Sequence, residues 1–422
     1  MSDVFDELKW RGLMANSTDE AALAEHLETG AVTFYVGFDP TAPSLHMGNL
    51  VQLMVARALQ RARHRPLILV GGSTGLIGDP KETAERVLNS KETVAGWVAR
   101  IQRQVSLFVD FEGPSAARLV NNLDWTSGLS VLDFLRDIGK HFPVNRMLAR
   151  EVVKARLEEG ISYTEFSYVL LQSLDYLELH RAYGCTLQFG GSDQWGNIPA
   201  GVELVRRADG GHVHALATPL LTKADGTKFG KTESGTVWLD PEMTSPYAFH
   251  QFFLNAEDAK VIDYLKVFSE RPRDEIEELA RQTEEAPHLR AAQRALADDI
   301  TALVHSPAER DAAVSAAAAL FGRSELTGLS ESTLASVVAE LDGSTLAAGP
   351  DLPAVVDVLT ASGVVASKSA ARRAISEGGA YVNNTRVSDP DARLAATDLL
   401  HDRYVITRRG KRTVGAVELT RG

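Results

Sequence analysis

The chain of 422 residues is 44% hydrophobic and 24% charged and has a net charge of −12, which indicates a globular protein of roughly two to four domains and argues against a general nucleic-acid binder. Its start lacks a basic segment followed by an apolar core, and no later apolar run approaches the roughly 18 residues that span a bilayer, so we expect a cytoplasmic protein. The single cysteine, Cys185, cannot form an intramolecular disulfide, and no Cys/His cluster has the spacing of a zinc site, so we expect no metal site in the protein.

The first half of the chain alternates strand-like and helix-like segments. Residues 32–38 are rich in β-branched and aromatic side chains, an apolar-periodic stretch follows at 50–59, and residues 66–70 are typical of a second buried strand. The alternation continues with helices predicted at about 93–108 and 164–179, and with short strands predicted at 118–121 and 186–189. This order predicts an α/β fold with a doubly wound, Rossmann-like parallel sheet.

The remaining segments differ in composition from this α/β body, which we place at residues 1–220. A polar, Gly-rich stretch at 221–245 indicates a mobile loop region, and the helical spacing of apolar residues at 246–328 predicts an α-helical domain. Small residues and turn formers at 329–350 indicate a flexible linker. Residues 351–422 carry 11 Lys and Arg against 8 Asp and Glu, whereas the preceding part carries 33 against 48. A small basic module therefore follows an acidic body.

The first motif with chemical meaning is YVGFDPTAPSLHMGN at residues 35–49, where a predicted strand leads through a loop into a helix. A helix N-terminus offers unpaired N–H groups and positive potential to phosphate, and Gly48 lets a nucleotide approach the backbone. His46 and Thr41 could then donate hydrogen bonds to phosphate oxygens. Alone the motif is weak, because a single His is more often a packed or surface residue.

The second motif is KFGKT, which follows a turn at 224–226. Lys228 and Lys231 on a mobile loop suit a polyphosphate whose charge is neutralised only as the transition state forms. In isolation, a solvated basic loop is the more common explanation. The glycine-rich GGSTGLIGDP at 71–80 is not a third nucleotide motif, since it lacks both the Gly-Lys-Ser/Thr of a P-loop and a G-x-G-x-x-G pattern.

Together these motifs resemble the paired ATP motifs of the class I aminoacyl-tRNA synthetases. Five blocks, in order, are similar to the bacterial tyrosyl-tRNA synthetase family: YVGFDPTAPSLHMGN, the GDP turn, TEFSYVLLQSLDYL, LQFGGSDQWGNI and TKADGTKFGKTESG. The similarity continues into the C-terminal module and so covers nearly the whole chain. It implies activation of tyrosine by Mg-ATP and transfer to tRNA, with the β- and γ-phosphates held by five residues: His46, Thr41, Lys228, Lys231 and Thr232.

The resemblance also assigns the tyrosine pocket. Three of its residues, Tyr168, Gln172 and Asp175, have the spacing i, i+4, i+7 and are therefore expected on one helix face. In the family, Asp79 is the counter-charge for the substrate ammonium and is joined by Tyr168 and Gln172. Asp175 and Tyr35 would bind the phenol, and the carboxylate region would be lined by Gln188 and Gln194.

For the nucleotide, a strand ends in a Gly-Gly turn where backbone can touch a ligand, and the resemblance assigns Gly191 and Asp193 to the adenylate ribose. Gly37 and Asp39 would lie near the nucleotide or substrate on the opposite side, and Gly48 and Asn49 complete the expected ATP site. Two features depart from the family. Val36 cannot supply a side-chain contact to the ribose, and the loop after Asp79 is a residue shorter than usual, so roles for Lys81 and Arg86 stay open.

The resemblance further implies a homodimer whose interface lies near the helix that holds Tyr163, with an insertion in the catalytic domain for dimerisation and one tRNA crossing both subunits. Residues 246–328 would be the anticodon-arm domain. The C-terminal module resembles the small RNA-binding domain named after ribosomal protein S-four. Candidate tRNA contacts are Arg206, Arg207, Lys368, Arg372, Arg373, Arg408, Arg409 and Lys411.

Three alternatives remain open. A tryptophanyl-tRNA synthetase would share the scaffold, although Tyr35 with Asp175 favours a phenol over an indole. A catalytically silent RNA-binding paralogue would keep the fold and the basic module, but the intact motifs argue against it. A dinucleotide oxidoreductase is remote.

Overall fold

The computed structural model describes residues 4–80, 89–158, 160–232, 235–322, 324–348 and 351–421. By its internal contacts the chain divides into two units. The first unit comprises residues 1–243 and 257–292, and the second comprises 244–256 and 293–422. None of the described helices combines the length and the apolar character needed to cross a membrane.

The strands are β1 Asn16–Ser17, β2 Thr33–Phe38, β3 Arg65–Val70, β4 Arg118–Asn121, β5 Cys185–Gly191, β6 His214–Thr218, β7 Lys231–Thr232, β8 Gly235–Thr236, β9 Ser344–Ala348, β10 Ala380–Val382, β11 Thr385–Arg386, β12 Tyr404–Arg409 and β13 Thr413–Arg421. The helices are α1 Val4–Trp10, α2 Glu20–Glu28, α3 Met47–Arg61, α4 Thr74–Ile77, α5 Lys91–Val105, α6 Leu123–Thr126, α7 Val131–Asp133, α8 Val144–Leu148, α9 Glu151–Arg156, α10 Tyr163–Tyr183, α11 Ile198–Asp209, α12 Pro246–Leu254, α13 Val261–Phe268, α14 Arg273–Glu285, α15 Ala291–Val304, α16 Pro307–Leu320, α17 Glu331–Glu340, α18 Val355–Ala361 and α19 Lys368–Ser376.

A six-stranded sheet of order β1-β6-β5-β2-β3-β4 forms the centre of the first unit, and all its pairs are parallel except β1 with β6. Strand β2 is covered on both faces, since Phe34, Val36 and Phe38 are buried together with Tyr35. Such continuous burial is typical of a parallel strand between two helical layers. The chain winds outward from β2 to β4 and then returns to β5 and β6. This confirms the predicted α/β fold and places a topological switch point between β2 and β5.

A buried histidine lies at the amino ends of these strands, opposite the switch point. The Nδ1 atom of His64 accepts a hydrogen bond from the backbone N–H of Val32 at 3.1 Å. Burial lowers the pKa of His64 from its ordinary value of 6.5, and the nearby charge of His26 lowers it further. A protonated His64 would also turn its acceptor into a donor facing the Val32 N–H.

We therefore expect the free energy of unfolding to fall as the pH drops below about 6.5, because the unfolded chain then binds more protons than the folded chain. Urea unfolding at several pH values measures this. His64→Gln, which keeps an acceptor without titrating, should flatten the dependence, whereas His288→Gln on an exposed 3₁₀ turn should leave it unchanged. Equal slopes in all three proteins would contradict the assignment.

The second unit contains a five-stranded sheet of order β11-β10-β12-β13-β9, antiparallel except for the pair β13 with β9. Helices α18 and α19 share one apolar core with this sheet, which includes Val358, Leu359, Ala371, Ile375, Val405 and Val417. A second core joins α16 and α17 to the same sheet through Ala316, Leu320, Leu334, Val337 and Ile406. The basic C-terminal module is therefore an α+β structure.

The structure corrects one expectation about the segment at 329–350, which was predicted to be a flexible linker. It contains α17, with Leu334 and Val337 fully buried, and β9, which extends the C-terminal sheet beside β13. Its many small residues indicated a linker, yet a few apolar side chains at helical spacing suffice to bury this helix. The predicted helical domain is also divided, since α13 and α14 belong to the first unit and α12 to the second.

Candidate active site

The phosphate-binding motif predicted at His46 forms the N-terminus of α3. The His46 Nδ1 atom accepts a hydrogen bond from the Gly48 N–H at 3.1 Å, and the Asn49 side chain accepts one from the His46 N–H at 3.0 Å. The first bond orients the ring and places the proton of the neutral imidazole on Nε2, and the second caps the N-terminus of α3. The N-terminus of α3, with its positive potential, suits a phosphate group.

The KFGKT segment lies beside this helix. The backbone of Gly230 has a φ of +92°, and a Cβ atom there would lie 2.5 Å from the Cβ of Met47, the first residue of α3. Only glycine allows this approach. The Phe229 ring stacks on Tyr264 at 4.0 Å, and Lys228 is exposed. The side chains of Lys231 and Thr232 lie outside the described residues, although their backbone pairs with β8.

Asp175 of helix α10, which was predicted to bind the substrate phenol, is a buried carboxylate. Asp175 is 2% exposed, and it accepts hydrogen bonds from Asn122 Nδ2 and Trp125 Nε1, both at 3.0 Å. Burial raises the pKa of Asp175 to about 8, and the two hydrogen bonds oppose the rise. The hydroxyl of Tyr35 is buried and has no hydrogen-bond partner in the described part of the chain, and burial raises its pKa well above 10 with a further contribution from Asp175.

Asn122 and Trp125 were missed by the sequence analysis. They follow β4, and Asn122 also donates to Thr74 Oγ1 at 2.9 Å and accepts from the Ser73 N–H at 2.7 Å. The available signal was the polar and aromatic NNLDW directly after a strand. Because parallel strands end at one edge of a sheet, those side chains were candidates for the same site.

Two further carboxylates of the predicted site, Asp79 and Asp39, are held by hydrogen bonds. Asp79 accepts hydrogen bonds from Gln194 Nε2 at 2.8 Å and from Asn197 Nδ2 at 3.0 Å. Asp39 accepts from Thr74 Oγ1 and from the Tyr168 hydroxyl, both at 2.6 Å. The Tyr168 hydroxyl, expected to join Asp79 at the substrate ammonium, donates its hydrogen bond to Asp39, and the charge of Asp79 also contributes to the raised pKa of Tyr168.

Glycines let the backbone turns approach these carboxylates. A Cβ on Gly71 would lie 2.2 Å from Asp39 Oδ1, and a Cβ on Gly191 would lie 2.4 Å from Asp193 Oδ1. The glycine-rich segment at 71–80 therefore serves close packing around Asp39.

Gly37 lies exposed at the carboxyl end of β2, Val36 points into the core, and Thr41 is exposed in the loop that follows.

Several buried polar atoms in the pocket lack partners among the residues that the structure covers. These are the Tyr35 hydroxyl and the side-chain oxygens of Gln172 and Gln188. Gln188 lies opposite Tyr35 in the register of β5 with β2. Buried polar groups are nearly always hydrogen-bonded in folded proteins, so this set is suited to a polar ligand.

Four of the eight predicted tRNA contacts pair with acidic side chains. Arg206 and Arg207 both bind Glu203 and hold its pKa at about 2, while Lys368 pairs with Asp357 and Arg372 with Asp391. Arg408 stacks over the Tyr381 ring at 4.1 Å. The side chains of three others are exposed: Arg373, Arg409 and Lys411. Lys81 and Arg86 lie outside the described residues.

Comparison with known families gives two matches along the chain. Residues 27–322 match the model described as tRNA synthetases class I (W and Y). Residues 342–415 match the model of the tyrosine–tRNA ligase SYY-like C-terminal domain. The two ranges follow each other and together include both ATP motifs and most of the basic module.

Full-length relatives are named tyrosine–tRNA ligase. The Cutibacterium acnes protein is 64% identical over 99% of this chain and 100% of its own length, and the Streptomyces coelicolor protein is 61% identical over 100% of both. The Aspergillus nidulans mitochondrial tyrosyl-tRNA synthetase, solved in a C-terminally truncated form, is 30% identical with a TM-score of 0.68, over 74% of this chain and 92% of that one. The Plasmodium falciparum tryptophanyl-tRNA synthetase, at 13% identity over 72% of this chain and 84% of that one, with a TM-score of 0.54, shares the fold alone.

Proposed function

The chain belongs to the tyrosyl-tRNA synthetase family of class I aminoacyl-tRNA synthetases, and from that premise we propose how its residues carry out the reaction. As a tyrosine–tRNA ligase, it activates tyrosine with ATP and loads the amino acid onto tRNA. The observation that carries the choice of amino acid is the buried Tyr35 hydroxyl in the same pocket as the buried carboxyl of Asp175.

Tyrosine would enter with its phenol toward Tyr35 and Asp175 and its ammonium toward Asp79. Gln188 and Gln194 would line the carboxylate. A phenylalanine ring at the same place would leave buried polar groups unpaired, a principle of discrimination for which tyrosine-specific synthetases are the standard example. Tryptophan is not favoured, because this far end of the pocket offers a hydroxyl and a carboxyl placed for a phenol.

ATP would bind as its Mg²⁺ complex, with the metal carried by the substrate phosphates. The tyrosine carboxylate oxygen attacks the α-phosphorus in line, the bond to the bridging oxygen breaks, and pyrophosphate leaves with that electron pair. His46, Thr41, Lys228, Lys231 and Thr232 would hold the departing phosphates, while Gly191, Asp193 and Gly37 would line the adenosine. The chemistry then depends on positioning and charge stabilisation.

In the second step, a hydroxyl of the 3′-terminal adenosine of tRNA attacks the activated carbonyl, and AMP departs. The helical segment and the basic C-terminal module would hold the tRNA, with Arg373, Arg409 and Lys411 as its exposed cations. We also place the protein in the cytoplasm, where tRNA is charged for translation.

ATP–pyrophosphate exchange with tyrosine, tryptophan and phenylalanine in turn tests this assignment. Exchange should depend on tyrosine. Exchange with tryptophan but not tyrosine would favour the sister enzyme. A protein that binds tRNA but makes no adenylate would instead be a silent paralogue.

An exposed apolar surface supports a homodimer. Val131 and Leu132 are 74% and 78% exposed, and Tyr163 and Val144 are more than half exposed. An adjacent pocket of about 400 Å³ is lined by Thr126, Leu129, Val131, Phe134, Leu135, Tyr163 and Leu171. Large apolar side chains that gather on one surface of a monomer generally mark an interface. The opposing copy of the chain would cover them, and one tRNA could then reach both subunits.

Leu132→Asp should therefore shift the protein from dimer to monomer, because a carboxylate would be buried in the interface without a partner. Sedimentation velocity across a protein concentration series measures the change. Leu107→Asp, at a 58% exposed position outside this surface, is the matched control and should leave the dimer intact. A wild-type monomer at all concentrations would contradict the proposal.

A further inference from the structure

A buried hydroxyl connects the turn before His46, helix α5 and the segment after the KFGKT loop. Ser44 lies two residues before His46 and is 4% exposed. Its Oγ atom accepts hydrogen bonds from Gln104 Nε2 at 3.0 Å and from the Asp240 N–H at 3.1 Å, and it donates to the Leu45 carbonyl at 2.8 Å. The one donor and both acceptor positions of the hydroxyl are thus in use.

Gln104 holds the same turn from helix α5. Its Oε1 atom accepts a hydrogen bond from the Leu45 N–H at 2.8 Å. One helical turn earlier, Arg100 lies 4.0 Å from the Asp240 carboxylate. Helix α5 therefore contacts both the turn before His46 and the segment after the KFGKT loop.

These two segments are also joined directly by backbone hydrogen bonds. The Leu239 N–H donates to the Leu45 carbonyl at 2.9 Å, and His46 forms a β-bridge with Trp238. The Val237 N–H donates to the Gly230 carbonyl at 2.9 Å. Backbone hydrogen bonds therefore link the His46 turn, through residues 237–239, to Gly230 of the KFGKT loop. The side chains of Ser44 and Gln104 add a second link, through helix α5.

We propose that Gln104 and Ser44 are positioning residues, which hold the His46 turn and the segment after the KFGKT loop in register so that both motifs meet the same ATP phosphates. The inference rests on the proposed function. Neither side chain reaches the groups assigned to tyrosine, since their hydrogen bonds all end at Leu45, Asp240 and each other. The network should thus affect the ATP step and leave the amino-acid pocket unchanged.

The test compares Gln104→Met and Ser44→Ala in ATP–pyrophosphate exchange. Because a displacement of about 1 Å in a positioned group can cost on the order of a hundredfold in rate, we expect kcat to fall by about tenfold or more in each variant. The KM for tyrosine should stay within about twofold. The double variant should lose much less than the product of the single losses, because both substitutions remove the same bond.

A matched control exists on helix α3. Gln60 is also a largely buried glutamine with three hydrogen bonds, to the Asp110 and Ser115 carbonyls and the Asp110 N–H, at the opposite end of the helix from His46. Gln60→Met should destabilise the fold without changing kcat. If Gln104→Met fails to fold, the kcat of the smaller change Ser44→Ala decides the test. Tyrosine binding, measured by equilibrium dialysis, then shows that the Ser44→Ala protein is folded.

Two results would overturn this inference and leave the proposed function standing. The first is a kcat in Gln104→Met and Ser44→Ala equal to that of the Gln60→Met control. The second is a KM for tyrosine that rises in these variants as much as kcat falls. Exchange by the wild-type protein separates this from the proposed function. If the wild type catalyses no exchange with tyrosine, the proposed function fails and the inference fails with it.

Discussion

Asp175→Ala is expected to lower kcat/KM for tyrosine in ATP–pyrophosphate exchange by about a thousandfold, or about 4 kcal/mol. The substitution removes the acceptor for the substrate phenol. It also strands the donors of Asn122 and Trp125, which now point at Asp175 from 3.0 Å. The substrate phenol, buried without its acceptor, accounts for about 1–3 kcal/mol of this loss, and the rest comes from displacement of the side chains that Asp175 holds in place.

The loss should fall on tyrosine and not on ATP. Measuring KM for each substrate separates the two, and Tyr35→Phe should give a smaller loss in the same direction because it removes one neutral hydroxyl. Asp209→Ala, which breaks an ion pair with Arg181 on the outside of the same unit, is the control and should leave both constants unchanged. Full activity in the Asp175→Ala variant would contradict the assignment of Asp175 to the substrate phenol.

Glu165→Ala should lower the free energy of unfolding by about 3–5 kcal/mol, because it removes one carboxylate of a buried ion pair. Glu165 and Arg156 are 2% and 5% exposed and lie 3.3 Å apart, and Arg156 also donates to the Gly160 carbonyl at 3.2 Å. This pair closes the connection from α9 to α10, the helix that carries Asp175. Urea unfolding followed by circular dichroism measures the loss.

A surface pair on the same helix provides the comparison. Glu178 pairs with Arg181 at 3.2 Å, and the two side chains are 32% and 45% exposed. Glu178→Ala should therefore lower the free energy of unfolding by less than about 1 kcal/mol. Replacing both buried partners, as Arg156→Met with Glu165→Leu, should recover much of the loss because both charges of this pair are removed together. Equal losses for Glu165→Ala and Glu178→Ala would contradict the role of burial.

The sequence was sufficient to predict those features that depend on neighbouring residues in the chain. Continuous apolar residues in β2 and β3 predicted buried parallel strands, since each residue of such a strand packs against one of two helical layers. The two ATP motifs and the family were likewise evident from short segments. The position of His46 at a helix N-terminus followed from the same local pattern and agrees with the structure.

Contacts between distant segments were decided by the tertiary structure. Asn122 and Trp125 follow β4 and meet Asp175 of α10, which lies 53 and 50 residues later in the chain, and Tyr168 reaches Asp39 across 129 residues. Likewise, β9 becomes a strand because β13 offers it an edge. Sequence spacing records the periodicity of one element, whereas the crossover connections and the packing of whole helices determine which elements meet. The local sequence therefore determined the family and the elements of this protein, and the tertiary structure decided which side chains share its pocket.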